Sequence, residues 1–344
     1  MTTSTVGIRP ARDTRALFAG LAVLCACLLL VVIGSITLGS RSITFTTIVD
    51  AFLHYDASST AETVVRDMRV PRTLLGLAAG AALGLSGALL QGVTRNPLAD
   101  PGIMGINAGA AALVVLGISV LGITSAGGYV WLALVGAALA TVFVYTVASL
   151  GREGATPVKL ALAGAAVTAG LSSITTGIVM TNLEALNQMR FWQVGSLAGR
   201  YMPVFWQVAP FIAVGVVLAM LCGRALNGLA LGEDTARSLG QRVGTSRALI
   251  FITVAILCGA ATAACGPIVF IGLVVPHIAR AVCGPDYRWI LPYSLVLTPT
   301  LFLAADIFGR LVLSPGELEV GVVLGVLGAP AFVALVRYRD LAEL

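Results

Sequence analysis

The chain reads as apolar runs of about twenty residues separated by short polar stretches, close to the roughly 20 residues an α-helix needs to cross a hydrocarbon layer. Ten runs are predicted as helices, at residues 16–38, 73–93, 103–123, 128–150, 158–181, 204–222, 247–265, 267–283, 289–308 and 319–337. An even number of crossings puts both termini on one side. In the second run Gly76, Gly80, Gly84, Ala88 and Gly92 recur every fourth residue, and Gly105 and Gly109 repeat the spacing in the third. Small faces of this kind let helix backbones approach closely in lipid. Two polar pieces stand apart. Residues 40–67 read as an outer segment with a short helix. Residues 225–246, ALNGLALGEDTARSLGQRVGTS, are the longest inner loop. Glu233 and Asp234 suit a helix start there, and Leu239-Gly240 its end.

Composition agrees with a membrane protein. The 344 residues are 58% hydrophobic and 11% charged, with mean hydropathy +0.97, whereas soluble domains carry about 25% charged residues. A single transmembrane domain over residues 1–344 is expected. The net charge of +5 is no nucleic-acid signal, because the arginines form no patch. With the N-terminus inside, the inner segments hold Arg9, Arg12, Arg15, Arg95, Arg152, Lys159, Arg224, Arg237, Arg242, Arg247, Arg280, Arg288, Arg337 and Arg339. The outer ones hold Arg41, Arg66, Arg69, Arg72, Arg190, Arg200 and Arg310. Fourteen against seven selects cytoplasmic termini in a multi-pass protein of the cytoplasmic (inner) membrane. The first run exceeds a signal-peptide core and reads as an uncleaved first helix.

Arg69 and Arg72 break this pattern. They stand at the head of the second run, on the outer side, where the helix dipole disfavours cations as well. An external partner that wants them is the expected reason.

Chemistry is sparse. Cys25, Cys27, Cys222, Cys258, Cys265 and Cys283 form no CxxC pair and read as small buried hydrophobes. His54 and His277 are far apart, and there is no HExxH, so no metal site is expected. His277 follows Pro276, which should kink the eighth helix, and reads as a packed or interfacial side chain. The phosphate-cradling GxxxxGK[ST] loop is absent and Lys159 is the sole lysine, so energy should come from a separate subunit. Asp306, in LADIFGRL, is the one acidic residue well inside a run. Its i,i+4 spacing to Arg310 predicts an ion pair near the outer surface, with a proton site as the alternative. Thr168, Ser172, Thr175 and Thr176 share helical spacing in the fifth run, either bonded back to the preceding turn or forming a polar stripe along a pathway.

RVPRTLLGLAAGAALGLSGALLQGVTRNPLADPGIMG resembles the signature region of the FecCD-type permeases, the membrane subunits of ABC importers for ferric siderophores, haem and cobalamin. ALGEDTARSLG resembles their cytoplasmic coupling segment, FIGLVVPHIAR their eighth helix, and LADIFGR with GELEVG and LGAPAF their C-terminal region. The resemblance covers roughly residues 16–338. It implies an all-α fold of about ten spans, like a type II ABC importer permease. It further implies that Arg69, Arg72 and Arg310 face outward and bind glutamates of a substrate-binding protein. By the same resemblance Asn96, Leu98 and Thr156 belong to a cytoplasmic gate, Gly232, Glu233, Ala236 and Leu239 contact the ATPase, and the fifth helix lines the pathway. Two positions depart from the family. Glu319 stands where ELPxG has proline, an added carboxylate near Arg310, and Leu324 replaces a common threonine.

The expected function is inward translocation of a ferric siderophore, with haem or cobalamin as alternatives and no covalent chemistry in this chain. The implied partners are a second permease copy or paralogue, two ATPase subunits that bind ATP and Mg, and an extracytoplasmic binding protein. No cofactor is expected in this chain itself. An ion-coupled secondary transporter using Asp306 is the rival reading. A membrane-embedded enzyme is disfavoured by the lack of any His/Asp/Glu cluster.

Overall fold

The computed structural model describes residues 13–40, 42–123, 125–150, 156–314 and 316–338. Arg9, Arg12, Arg41, Arg152 and Arg339, which enter the charge tally, lie outside them. Every regular element described is helical. In order these are α1 (Thr14–Thr37), α2 (Phe45–Leu53), α3 (Thr60–Thr63), α4 (Val70–Thr94), α5 (Ile106–Leu121), α6 (Ala126–Ser149), α7 (Pro157–Thr181) and α8 (Leu183–Gln193). They continue as α9 (Met202–Leu221), α10 (Gly223–Ala230), α11 (Glu233–Ser238), α12 (Val243–Cys265), α13 (Ile271–Cys283), α14 (Tyr287–Val312) and α15 (Val320–Tyr338). A π turn (Val64–Arg69) joins α3 to α4, and a 3-10 turn (Pro101–Met104) precedes α5. Seven of the described helices are long and apolar enough to cross a membrane, and shorter apolar helices fall at Ile106–Leu121, Ile271–Cys283 and Val320–Ala334. These ten correspond to the ten predicted runs.

α4 is the axis of the bundle. In its helix 83% of the most apolar window is buried, against 72% for α12 and 11% for α7. The glycine stripe is the cause. Methyl groups added at Gly76, Gly80 and Gly84 would run into Leu303, Pro299 and Thr298 of α14. One at Gly87 would overlap the Gly272 carbonyl of α13, and one at Gly92 would meet Leu226 and Tyr287 at 2.8 Å. Gly109 lies against Gly136 and so joins α5 to α6. Gly105 does not extend that device: at φ +71 it turns the chain into α5.

Three expectations need correction. First, the second run does not begin at residue 73, because its helix is continuous over Thr60–Thr94. Arg66, Asp67 and Arg69 interrupt the apolar pattern without interrupting the backbone. Second, residues 267–270 are not helical, and α13 begins at Ile271. Gly266 ends α12 at φ +78, and Pro267 has no N–H to continue it. The freed backbone lies against the loop after α8, where Ser196 N–H donates to the Cys265 carbonyl at 2.8 Å. Irregular backbone at membrane depth survives only when other protein covers it. Third, Cys25 and Cys27 are exposed on α1, whereas the other four cysteines are buried. α8 and α10 were not foreseen, being too short and too polar to register as runs.

Candidate functional site

The C-terminal ends of α1 and α14 and the N-terminal end of α4, the outer ends in the orientation expected from the sequence, converge on a charged cluster. α1 ends in SIT followed by Leu38, and its last carbonyls have no partner within the helix. Two arginines supply donors. The Arg69 guanidinium donates to the Ile36 and Thr37 carbonyls at 2.8 and 2.7 Å. Arg310 donates to those of Ser35 and Leu38 at 3.0 and 3.1 Å. Ser35 Oγ accepts a further bond from Arg310 at 3.1 Å and lies 2.7 Å from Thr73 Oγ1. Cations at a helix C-terminus oppose its negative end and stabilise it. The dipole conflict expected for Arg69 and Arg72 is therefore absent: both lie within a continuous helix, and Arg69 serves the favourable end of another.

Arg72 completes the cluster. Its Nε reaches both Asp306 oxygens at 3.2 and 3.1 Å, its Nη2 reaches Oδ1 at 2.8 Å, and its Nη1 donates to Glu317 at 2.6 Å. Asp306 is fully buried and also pairs with Arg310 at 3.1 Å, the i,i+4 contact expected from LADIFGRL. With both its oxygens held by guanidiniums, Asp306 is part of an ion-pair network. Removing one member of such a network strands the others, which is why it fixes the geometry of three helices. Glu317 is partly exposed and also accepts from Ser40 Oγ at 3.3 Å. Above the cluster lies a cavity of about 210 Å³, lined by Arg69, Arg72, Arg200, Arg310 and Glu317 among others. Arg200 carries no motif signal. Its one cue was its place among the few outer arginines. Glu319 makes no side-chain hydrogen bond or ion pair among the described residues, so the carboxylate acting here is Glu317.

The opposite end, inner in the same expected orientation, is built differently. α10 follows α9 after Cys222, and α11 follows Gly232, whose φ of +102 turns the chain sharply. Glu233 pairs with Arg237 at 3.2 Å and with Arg247 of α12, tying α11 to the bundle. Ala236 is buried and Leu239 is 69% exposed, with Leu231 also exposed. The four coupling candidates therefore differ in exposure: Leu239 is on the surface, while Ala236 packs inward. α10 is fixed to α14 through Asn227, which donates to Asp286 at 2.6 Å and accepts from the Tyr287 N–H at 2.9 Å. Burial works to raise the Asp286 pKa, but hydrogen bonds from Arg288 and Asn227 outweigh it and hold the carboxyl below its ordinary value.

Beside this end, α4 closes with Arg95 at φ +49, and Asn96 accepts from the Leu98 N–H at 2.9 Å in a tight Asx turn. Asn96 and Leu98 are exposed. Thr156 caps α7, accepting from the Lys159 N–H at 3.4 Å, and α7 packs on the 3-10 turn that follows the Asn96 loop. The four hydroxyls of α7 lie on one side of the helix but differ in burial. Ser172 and Thr176 are exposed, Thr168 is half-buried, and Thr175 is buried with its hydroxyl donating to Leu171 O at 2.8 Å.

Similarity to known proteins extends over most of the chain. Residues 27–338 match the model of the FecCD transport family. The chain is 45% identical over 305 residues to the ferric enterobactin transport system permease protein FepD of Escherichia coli (strain K12), covering 89% of this chain and 91% of that protein. It is 40% identical over 325 residues to the iron(3+)-hydroxamate import system permease protein FhuB of Bacillus subtilis (strain 168), covering 93% and 82%. Among solved structures, a metal-chelate type ABC transporter in an inward-facing conformation superposes with a TM-score of 0.82 at 26% identity, over 93% of this chain and 99% of that one.

Proposed function

This chain belongs to the FecCD transport family, and from that premise we propose that it is the membrane-spanning permease subunit of an ABC importer that carries ferric siderophores inward. The observation that carries the reading is the division of the molecule into two unlike ends joined by α14. A cluster of guanidiniums lies at one end, and an exposed leucine on a short helix at the other. The chain has no nucleotide loop of its own. ATP and Mg then belong to a cytoplasmic ATPase pair that meets Leu239, and conformational change reaches the spans through α10 and α14. The bare face of α7, with Ser172 and Thr176, faces a second permease subunit and the pathway between them. Asn96, Leu98 and Thr156 form the inner gate. The outer cluster of Arg69, Arg72 and Arg310 receives carboxylates of an extracytoplasmic binding protein, and both termini are cytoplasmic. The siderophore cargo is supported by the two relatives named for ferric enterobactin and for iron(3+)-hydroxamate.

The test is uptake into proteoliposomes holding the permease, its ATPase and a binding protein, offered ferric catecholate, ferric hydroxamate, haem and cobalamin in turn. ATP-dependent uptake of a ferric siderophore that persists with an ionophore is expected. Uptake of only haem or cobalamin overturns the cargo. Uptake that collapses with the ionophore and ignores ATP overturns the importer reading in favour of ion coupling.

A further inference from the structure

The three arginines of the outer cluster are already engaged. Arg69 and Arg310 cap α1, and Arg72 is divided between Asp306 and Glu317. The fourth guanidinium on the cavity wall is in a different state. Among the described residues Arg200 makes no hydrogen bond and no ion pair; its Nε is buried without a partner, as is that of Arg310, but Arg310 is held through its other nitrogens. Gly199, at φ +66, turns the chain immediately before it, so that Arg200 and Tyr201 both line the cavity. Close enough to interact with its charge lies the Tyr129 phenol, whose hydroxyl is also buried and unpartnered. Burial depresses the Arg200 pKa, yet a guanidinium remains protonated at any ordinary pH, so the cost of its partial desolvation stands unrelieved.

Charge balance points the same way. The cavity wall carries Arg69, Arg72, Arg200 and Arg310, with Glu317 on the wall and Asp306 beneath, which leaves two positive charges unmatched. The space of about 210 Å³ far exceeds the about 10–15 Å³ that one water needs, and accepts a carboxylate. A free guanidinium beside a fixed Arg–carboxylate pair presents two parallel donors to an incoming acid, the geometry that makes such bonds short and strong.

Resting on the docking reading above, we propose that Arg200 is an additional receptor, beside Arg69, Arg72 and Arg310, for a glutamate or aspartate side chain of the docked binding protein. In the undocked permease, Glu317 holds the equivalent place on Arg72. Docking thus fills Arg200 directly. Arg69, Arg72 and Arg310 take part from within their existing contacts, and of these Arg72 has to exchange Glu317 for the incoming carboxylate.

The experiment uses the full permease–ATPase complex in nanodiscs, with the binding protein whose addition stimulates its ATP hydrolysis as the probe. Arg200→Gln is expected to weaken binding-protein affinity by about tenfold or more at low salt and to flatten its salt dependence, with Arg200→Lys recovering part of the loss. Footprinting of unsubstituted protein with phenylglyoxal is expected to modify Arg200 ahead of Arg72 and Arg310, and saturating binding protein should protect it. The proposal is overturned if Arg200→Gln binds as tightly as the parent, or if Arg200 is labelled equally with and without the binding protein. Should Arg69→Gln and added salt weaken binding while Arg200→Gln does not, this proposal alone falls. If neither salt nor any of these arginine changes matters, the docking reading falls with it.

Discussion

At the outer end of α14 the charged side chains are buried and joined to one another, while at its inner end the charges lie near the surface and leucines are exposed beyond them. Asp306 is fully buried between Arg72 and Arg310, whereas Arg237 is largely exposed and Leu239 stands out at 69%. The difference teaches what each end is suited to meet. A buried, pre-oriented guanidinium cluster recognises carboxylates, steers them over a distance and loses strength in salt. An exposed leucine on a short helix gains by leaving water, and that gain is indifferent to low salt. One helix spans both, with Asn227 and Asp286 fixing its inner end and Arg310 its outer end.

The comparison breaks most readily at Asp306. Replacing it by Asn leaves Arg72 and Arg310 buried beside each other with one carboxylate fewer, a loss of about 3–5 kcal/mol. Thermal unfolding of the purified permease should fall markedly, and an unchanged midpoint would mean that the cluster does not hold the fold. At the other end, Leu239→Asp removes a burial worth about 1.5–3 kcal/mol and places a charge in an apolar contact. ATPase binding should weaken by roughly ten- to a hundredfold while the permease keeps its own stability. Retained binding would move the contact elsewhere on the inner face.

Much of this was readable in the chain. The ten runs were legible because lipid demands apolar length, and the Gly76–Gly80–Gly84 spacing announced a close-packed face on α4, though not that α14 is the helix it meets. The i,i+4 pair of Asp306 and Arg310 was legible for the same reason. The role of Arg69 was not. Hydropathy cut the helix at the polar residues, and the carbonyls that Arg69 caps belong to α1, some thirty positions away in sequence. The internal partners of Arg72 were hidden for a related reason, since Asp306 and Glu317 come from the far end of the chain. Long-range pairing of this kind leaves no local pattern. Ala236 and Thr175 were assigned by motif and spacing, which do not tell the buried face of a short or half-bare helix from the exposed one.

Smaller effects sharpen the contrast. Glu317→Gln removes the neutralising partner of Arg72 but leaves Asp306 in place, so stability should change by less than about 1 kcal/mol because the pair is partly exposed. Binding-protein affinity should rise severalfold as an internal competitor is lost, and a fall would show that Glu317 contributes to the contact instead. Least of all is the effect of acid on the inner end. The Asp286 carboxyl is held below its ordinary value of about 3.9, so its contribution is complete above that pH and is lost as pH falls through the lower folded value. Hydrogen exchange of the α10 amides should accelerate only in that acidic window, and acceleration near neutral pH would contradict the Asn227–Asp286 link.

The most direct test is a salt titration of both contacts on the same reconstituted complex, from about 0.01 M, where the screening length is about 30 Å, to about 1 M, where it is about 3 Å. Binding-protein affinity should fall steeply across this range while ATPase affinity stays level or rises. Parallel behaviour of the two contacts would contradict the account, because the two ends would then not differ in the physics by which they bind.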